Sequence, residues 1–179
     1  MAAILNNEQP MKGTTSVAVE NNPAHVQEAF KKWMEMKSIP ESDYRISSKY
    51  ISFKIPLFDL FKEKLGETRE KWWWDNGPFL FWYHIKSDSF YFTLEVGPIE
   101  ADKRVLLMES MMEKGIKFTK KGLEIEAKFS RIFSETIDIE DMDITRIINS
   151  LDALYNKEEL QGILRKLKII YDETVIKLN

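Results

Sequence analysis

Residues 72–98, WWWDNGPFLFWYHIKSDSFYFTLEVGP, constrain the fold of this chain more than any other stretch. Two runs alternate on either side of a short polar break. Phe79, Phe81, Tyr83 and Ile85 share one face of the first run, and Phe90, Phe92, Leu94 and Val96 share one face of the second. Successive side chains of a strand point to opposite sides of a sheet, so a period of two held this long predicts paired β-strands. With Lys86–Ser89 as the connection, Ile85 falls opposite Phe90, Tyr83 opposite Phe92, Phe81 opposite Leu94 and Phe79 opposite Val96. Such cross-strand pairs each stabilise a sheet by about 0.2–1 kcal/mol. The reverse face carries Leu80, Trp82, His84, Tyr91, Thr93 and Glu95, a mixed set open to solvent, a helix or a partner.

The rest of the chain arranges itself around this hairpin. Residues 1–20 are small, polar and aperiodic and read as a flexible tail; residues 21–179 read as one domain. Asn22-Pro23 is a helix start, and Val26, Phe30, Trp33 and Lys37, with Ala29 and Met34 beside them, form a helical stripe that ends before Pro40. Tyr50 to Ile55 alternates and predicts a strand closed by Pro56; Leu57 to Leu65 predicts a short helix stopped by Gly66. Asp75-Asn76-Gly77 is a turn into the central hairpin. Glu100 to Lys114 predicts an amphipathic helix with Ala101, Val105, Met108, Met111 and Met112 on its buried side, ending at Gly115. A second hairpin is predicted from Ile116–Phe118, the Lys120-Lys121-Gly122 turn and an extended stretch from Leu123 to Phe133 and onward to Ile139. Two C-terminal helices follow, the first opened by Glu140, Asp141 and Asp143 and carried by Ile144, Ile147, Ile148, Leu151 and Leu154. Hairpins adjacent in sequence with helices grouped around them predict an α+β fold, an antiparallel sheet with helices packed on one face.

Composition excludes several function classes. A chain of 179 residues without cysteine has neither disulfides nor thiolate metal sites, and two histidines make a histidine-based metal centre a poor expectation. The net charge of −3 gives no global attraction to nucleic acid or anionic lipid. No apolar run approaches the roughly 18 residues of a membrane span, and no basic-then-apolar leader opens the sequence. The expectation is a cytoplasmic protein without cofactor or bound metal.

Three constellations remain as candidate sites. Glu126-Ala127-Lys128 matches the Glu-x-Lys half of a metal-dependent nuclease motif, which needs an upstream Asp on a neighbouring strand to hold Mg²⁺. The nearest upstream Asp, Asp102, is expected on a helix, so the match reads more simply as the solvated face of an edge strand. His84 and Glu95 share a face of the hairpin, but no nucleophile or Gly-rich turn accompanies them. Lys117, Lys120, Lys121, Lys128 and Arg131 make the second hairpin locally basic, and with Trp72, Trp73 and Trp74 they combine phosphate contacts with stacking surface. Three consecutive tryptophans cannot all face one core from a strand or a helix, so at least one is expected at the surface unless another segment covers it.

Several of these segments also resemble a known group in sequence order. They are Tyr50-Ile51-Ser52-Phe53, the Trp-rich approach to Phe79-Leu80-Phe81, Leu94-Glu95-Val96-Gly97-Pro98, the helix from Arg104 to Met112, and Lys128-Phe129-Ser130-Arg131-Ile132-Phe133-Ser134. Together they resemble the C-terminal region of bacterial and phage proteins of the PD-(D/E)XK nuclease superfamily, from Tyr50 to the C-terminus. In that group the nuclease motif lies upstream; here the upstream sequence is a tail and one helix, and no catalytic residue carries over. The resemblance implies a stand-alone accessory module, such as a phage-encoded inhibitor of a bacterial defence system. The expectation is a non-enzymatic recognition module with a protein partner foremost and nucleic acid as the other class. The competing expectations are a divergent Mg²⁺-dependent nuclease using Glu126 and Lys128, and a structural subunit that oligomerises through the tryptophans.

Overall fold

The computed structural model describes residues 23–71, 73–86, 88–118, 120–139 and 143–177, with the side chains of 23, 120, 121 and 174–177 outside that description. The expected N-terminal tail, Trp72, Glu140 and Asp141 therefore lie outside the described residues. The chain runs α1 (Pro23–Met36), β1 (Tyr44–Ile46), β2 (Tyr50–Phe53), α2 (Pro56–Leu65), β3 (Phe79–Ile85), β4 (Ser89–Val96), α3 (Ala101–Glu113), β5 (Ser130–Asp138), α4 (Ile144–Tyr155) and α5 (Glu158–Lys177). The strands form one antiparallel sheet in the order β1-β2-β3-β4-β5, a meander in which sequence neighbours are spatial neighbours. The fold is α+β.

The central hairpin has the register its alternation predicts: Phe79 pairs with Val96, Phe81 with Leu94, Tyr83 with Phe92 and Ile85 with Phe90. These side chains, with Ile51 and Phe53 of β2, line one face of the sheet and join a single core with α1 through α5. Rings do much of the packing. Tyr83 stacks on Phe92 at 4.2 Å and 9°, Phe30 of α1 meets Tyr83 edge-on at 4.9 Å, and Phe61 of α2 meets Phe79 edge-on at 4.9 Å. Helix starts and stops follow the sequence signals. Pro56 opens α2, while Gly66 and Gly115 follow α2 and α3 at φ of 82° and 72°, where a Cβ would be strained. The Asp143 carboxylate accepts from the Thr145 and Arg146 amides at 2.9 and 3.1 Å, capping α4.

The Tyr83 hydroxyl is buried with no hydrogen-bond partner among the described residues, and burial pushes its pKa well up. A buried unsatisfied hydroxyl costs about 1–3 kcal/mol. Tyr83→Phe is therefore expected to raise stability by about 1 kcal/mol. Urea unfolding checks this, and a loss of stability would mean that the hydroxyl has found a partner.

Four expectations need correction. A short strand, β1, pairs with β2 ahead of the expected first strand, and β2 ends at Phe53 rather than Ile55. On α3 the buried stripe is Arg104, Leu107, Met108 and Met111, while Val105 and Met112 are exposed. Among the described residues the second hairpin does not form: residues 116–118 have no regular structure, and Lys120–Leu123 is a 3-10 turn. Among the described residues there, the one strand is β5, which begins at Ser130.

The buried stripe of α3 and the loop before β5 share one physical cause. The Arg104 guanidinium, 1% exposed, donates to the carbonyls of Gly97 at 3.0 Å, Gly122 at 2.9 Å and Glu124 at 3.4 Å, and to the Ser130 hydroxyl at 2.5 Å. Ser130 in turn donates to the Gly122 carbonyl. Arg69 donates to the Ile125 carbonyl at 2.9 Å and pairs with Glu126 at 3.0 Å. Carbonyls that a partner strand would have claimed are thus satisfied by two guanidinium groups, and the segment before Ser130 is held as a loop. Burial first, and then the like charge of Arg69, pulls the Arg104 pKa below the ordinary arginine value. Among the described residues its hydrogen-bond partners are carbonyls and a hydroxyl.

Candidate functional site

The helices pack on one face of the sheet, so its other face decides what the molecule presents. That face carries Arg45, Ser52, Leu80, Trp82, His84, Tyr91, Thr93 and Glu95, as the strand registers require. One part of it is covered by the tryptophan segment. Trp73 is 5% exposed and lies 6.2 Å from Trp82; it and Leu80 are buried outside the main core. Trp74 donates its indole N–H to the Ser52 hydroxyl at 2.9 Å, and the Arg45 guanidinium sits 4.4 Å above its ring.

The segment is tethered by an ion cluster. Lys54 lies 2.6 Å from Asp59, 3.2 Å from Asp75 and 3.8 Å from Asp43, and Lys62 donates to the Asp75 carbonyl at 2.6 Å. The predicted turn follows at once, with Asn76 at φ 54°. Trp73 and Trp74 thus form a small second core rather than a free aromatic surface.

The remainder of this face is an open groove of about 490 Å³ lined by Tyr50, Trp82, His84, Tyr91, Thr93, Glu95, Phe129 and Arg131. Tyr50 stacks on His84 at 4.7 Å and 19° and leaves 47% of its surface exposed; Phe129 is 44% exposed. Arg131 lies 5.6 Å from the Tyr91 ring and 5.4 Å from the Phe129 ring, and Lys86 lies 5.8 Å from Tyr91. The Glu95 carboxylate, on a residue 8% exposed, accepts from Arg131 Nε at 2.9 Å. Burial holds the Glu95 pKa above the ordinary carboxylate value despite that partner.

Arg131 reaches this face through a bulge. Leu94 pairs with Phe133 but Glu95 pairs with Arg131, so β5 carries one extra residue, Ile132. Ile132 and Phe133 both join the core, and Arg131 is turned to the open side.

A second groove, of about 690 Å³, adjoins the first along β5 and shares Tyr91, Phe129 and Arg131 with it. Lys117 and Lys128 line this groove and are exposed. The sequence-derived basic set is therefore brought together in part, around β5 rather than on a hairpin. Lys120 and Lys121 belong to the 3-10 turn beside it, with side chains outside the description.

Glu126 and Lys128 sit in the loop before β5 instead of on an edge strand, and Glu126 is paired with Arg69. Among the described residues no group of three or more His, Asp or Glu side chains is placed to hold a metal ion. No helix among them is long and apolar enough to cross a membrane.

Nothing in the sequence singles out Tyr50, Tyr91 and Phe129 as site residues. The alternation places Tyr91 on the reverse face of the hairpin, but no local signal says that this face stays open. Comparison with known protein families, with curated proteins and with solved structures finds no match to this chain.

Proposed function

We propose that this chain is a non-enzymatic recognition module that acts through the open face of its sheet. The observation that carries the reading is the contrast between the two faces. One is sealed by helices, while the other exposes Tyr50 and Phe129 beside Arg131 and Lys86. Exposed rings next to cations favour binding, since ring area is desolvated on contact and cations orient the partner. An accessory module, including an inhibitor that blocks a defence enzyme by contact alone, is one form of this reading.

The test is affinity capture on the immobilised full chain from a lysate of its source organism, repeated with the Tyr50→Ala/Phe129→Ala double variant. Both rings are exposed, so the variant is expected to fold. A partner retained by the wild type and lost by the variant is the expected result; identical retention by both would count against the open face. Trp73→Ala tests the second core instead, because Trp73 is buried. Cleavage of DNA or RNA in Mg²⁺ that disappears in Lys128→Ala would overturn the non-enzymatic reading in favour of a nuclease.

A further inference from the structure

We propose that the open face binds single-stranded nucleic acid, with bases stacking on Tyr50, Tyr91 and Phe129 and phosphates meeting Lys86, Arg131 and Lys128. This rests on the recognition reading above and assigns it a ligand class.

Tyr50 and Phe129 keep 47% and 44% of their surface exposed, and the stack on His84 holds Tyr50 in place before any ligand arrives. Stacking on an aromatic side chain needs only a flat face and so accepts every base, provided the base is not already covered by duplex neighbours. An antiparallel sheet with one face open and aromatic is a platform of this type.

Lys86 and Lys128 have no carboxylate partner among the described residues, and the one carboxylate in the first groove, Glu95, is shared with Arg131. The second groove sets three cations, Lys117, Lys128 and Arg131, against two carboxylates, Glu124 and Glu159, and Lys86 flanks the shared residue Tyr91. The overall charge of −3 does not oppose this, because screening at physiological salt limits exposed charges to about 8 Å.

The two grooves are continuous through Tyr91, Phe129 and Arg131 and cross the sheet from β2 to β5. At roughly 4.8 Å between strands that span is about 14 Å. An open sheet of this kind stacks about two or three bases. An extended trough with aromatic steps suits a strand better than a single enclosed nucleotide.

Fluorescence anisotropy with end-labelled 12-mers of dT, U and A, across a salt series and against unlabelled duplex, tests the inference on the full chain. Single strands are expected to bind and duplex to compete poorly. Tyr50→Ala and Phe129→Ala are each expected to weaken binding by about ten- to a hundred-fold. Lys86→Gln combined with Lys128→Gln is expected to flatten the log–log salt slope by about 0.7 for each phosphate that is no longer neutralised. Circular dichroism melts establish that the variants fold.

Absence of binding to any 12-mer, equal affinity for duplex, or affinity unchanged in both aromatic variants would overturn the inference. A protein captured through Tyr50 and Phe129 after nuclease treatment, with no oligonucleotide bound, would overturn it while leaving the recognition reading standing. Capture and oligonucleotide binding that both ignore the open face would overturn the two together.

Discussion

Phe92→Ala is expected to lower the free energy of unfolding by about 3–5 kcal/mol, the range for deleting a buried phenyl ring. Phe92 is fully buried on β4, between two other strands. Its ring stacks on Tyr83 at 4.2 Å and on Phe81 at 5.5 Å, and meets Phe133 edge-on at 5.9 Å. Its neighbours are fixed by the ladders on both sides, so the space left by alanine cannot close by local collapse. For a domain of this length the loss corresponds to a fall in Tm of about 6–20 °C. Thermal unfolding followed by circular dichroism measures it. Tyr50→Ala, a half-exposed ring stacked on His84 on the other side of the same sheet, is the matched control and is expected to lose only about 1 kcal/mol. Equal losses in both variants would mean that the two faces are not differently packed.

Arg104→Met is expected to cost about 3 kcal/mol, since each hydrogen bond to a charged group contributes about 1.5–3 kcal/mol net and part of that loss is recovered by water. Methionine roughly matches the length of the side chain, so the substitution removes donors more than it opens a cavity. The carbonyls of Gly122 and Glu124 lose their guanidinium partner, and the Ser130 hydroxyl at the start of β5 loses a donor. Unfolding in urea gives the stability change, and limited proteolysis gives its location. Cleavage is expected to rise between residues 120 and 129 before the rest of the chain opens. Arg104→Lys is expected to restore little, because one ammonium cannot reproduce a planar fork that reaches four acceptors. A loss under about 1 kcal/mol, with unchanged proteolysis, would show that the loop is held by something other than this arginine.

These two sites also mark where the sequence is legible. The register around Phe92 follows from the sequence because period-two alternation, a short polar connection and the pleat leave one arrangement that buries both apolar sets. Stripes on α1 and α4, the Asp143 cap and the stops at Gly66 and Gly115 are legible for the same reason: each is decided within one or two turns of chain. The segment from Ile116 to Phe129 is not, because its alternation is as good as that of a strand. Its carbonyls are claimed by Arg104 and Arg69 from distant parts of the chain, and no local pattern reports such a claim.

The candidate site divides in the same way. Sequence alone determined an α+β fold, its central hairpin, and which side chains share each face of that hairpin. It also marked Trp72 to Trp74 and the lysines near β5 as residues needing an explanation. Only the tertiary structure decided that Trp73 folds back onto Trp82 and Trp74 onto Ser52 and Arg45, and that a bulge at Ile132 turns Arg131 outward. It likewise decided that Tyr50, Tyr91 and Phe129 remain around an open groove. Face assignment is a matter of neighbouring residues and the geometry of the pleat. Whether a face is covered depends on where helices and loops from elsewhere in the chain come to rest, and that is set by the packing of the whole molecule.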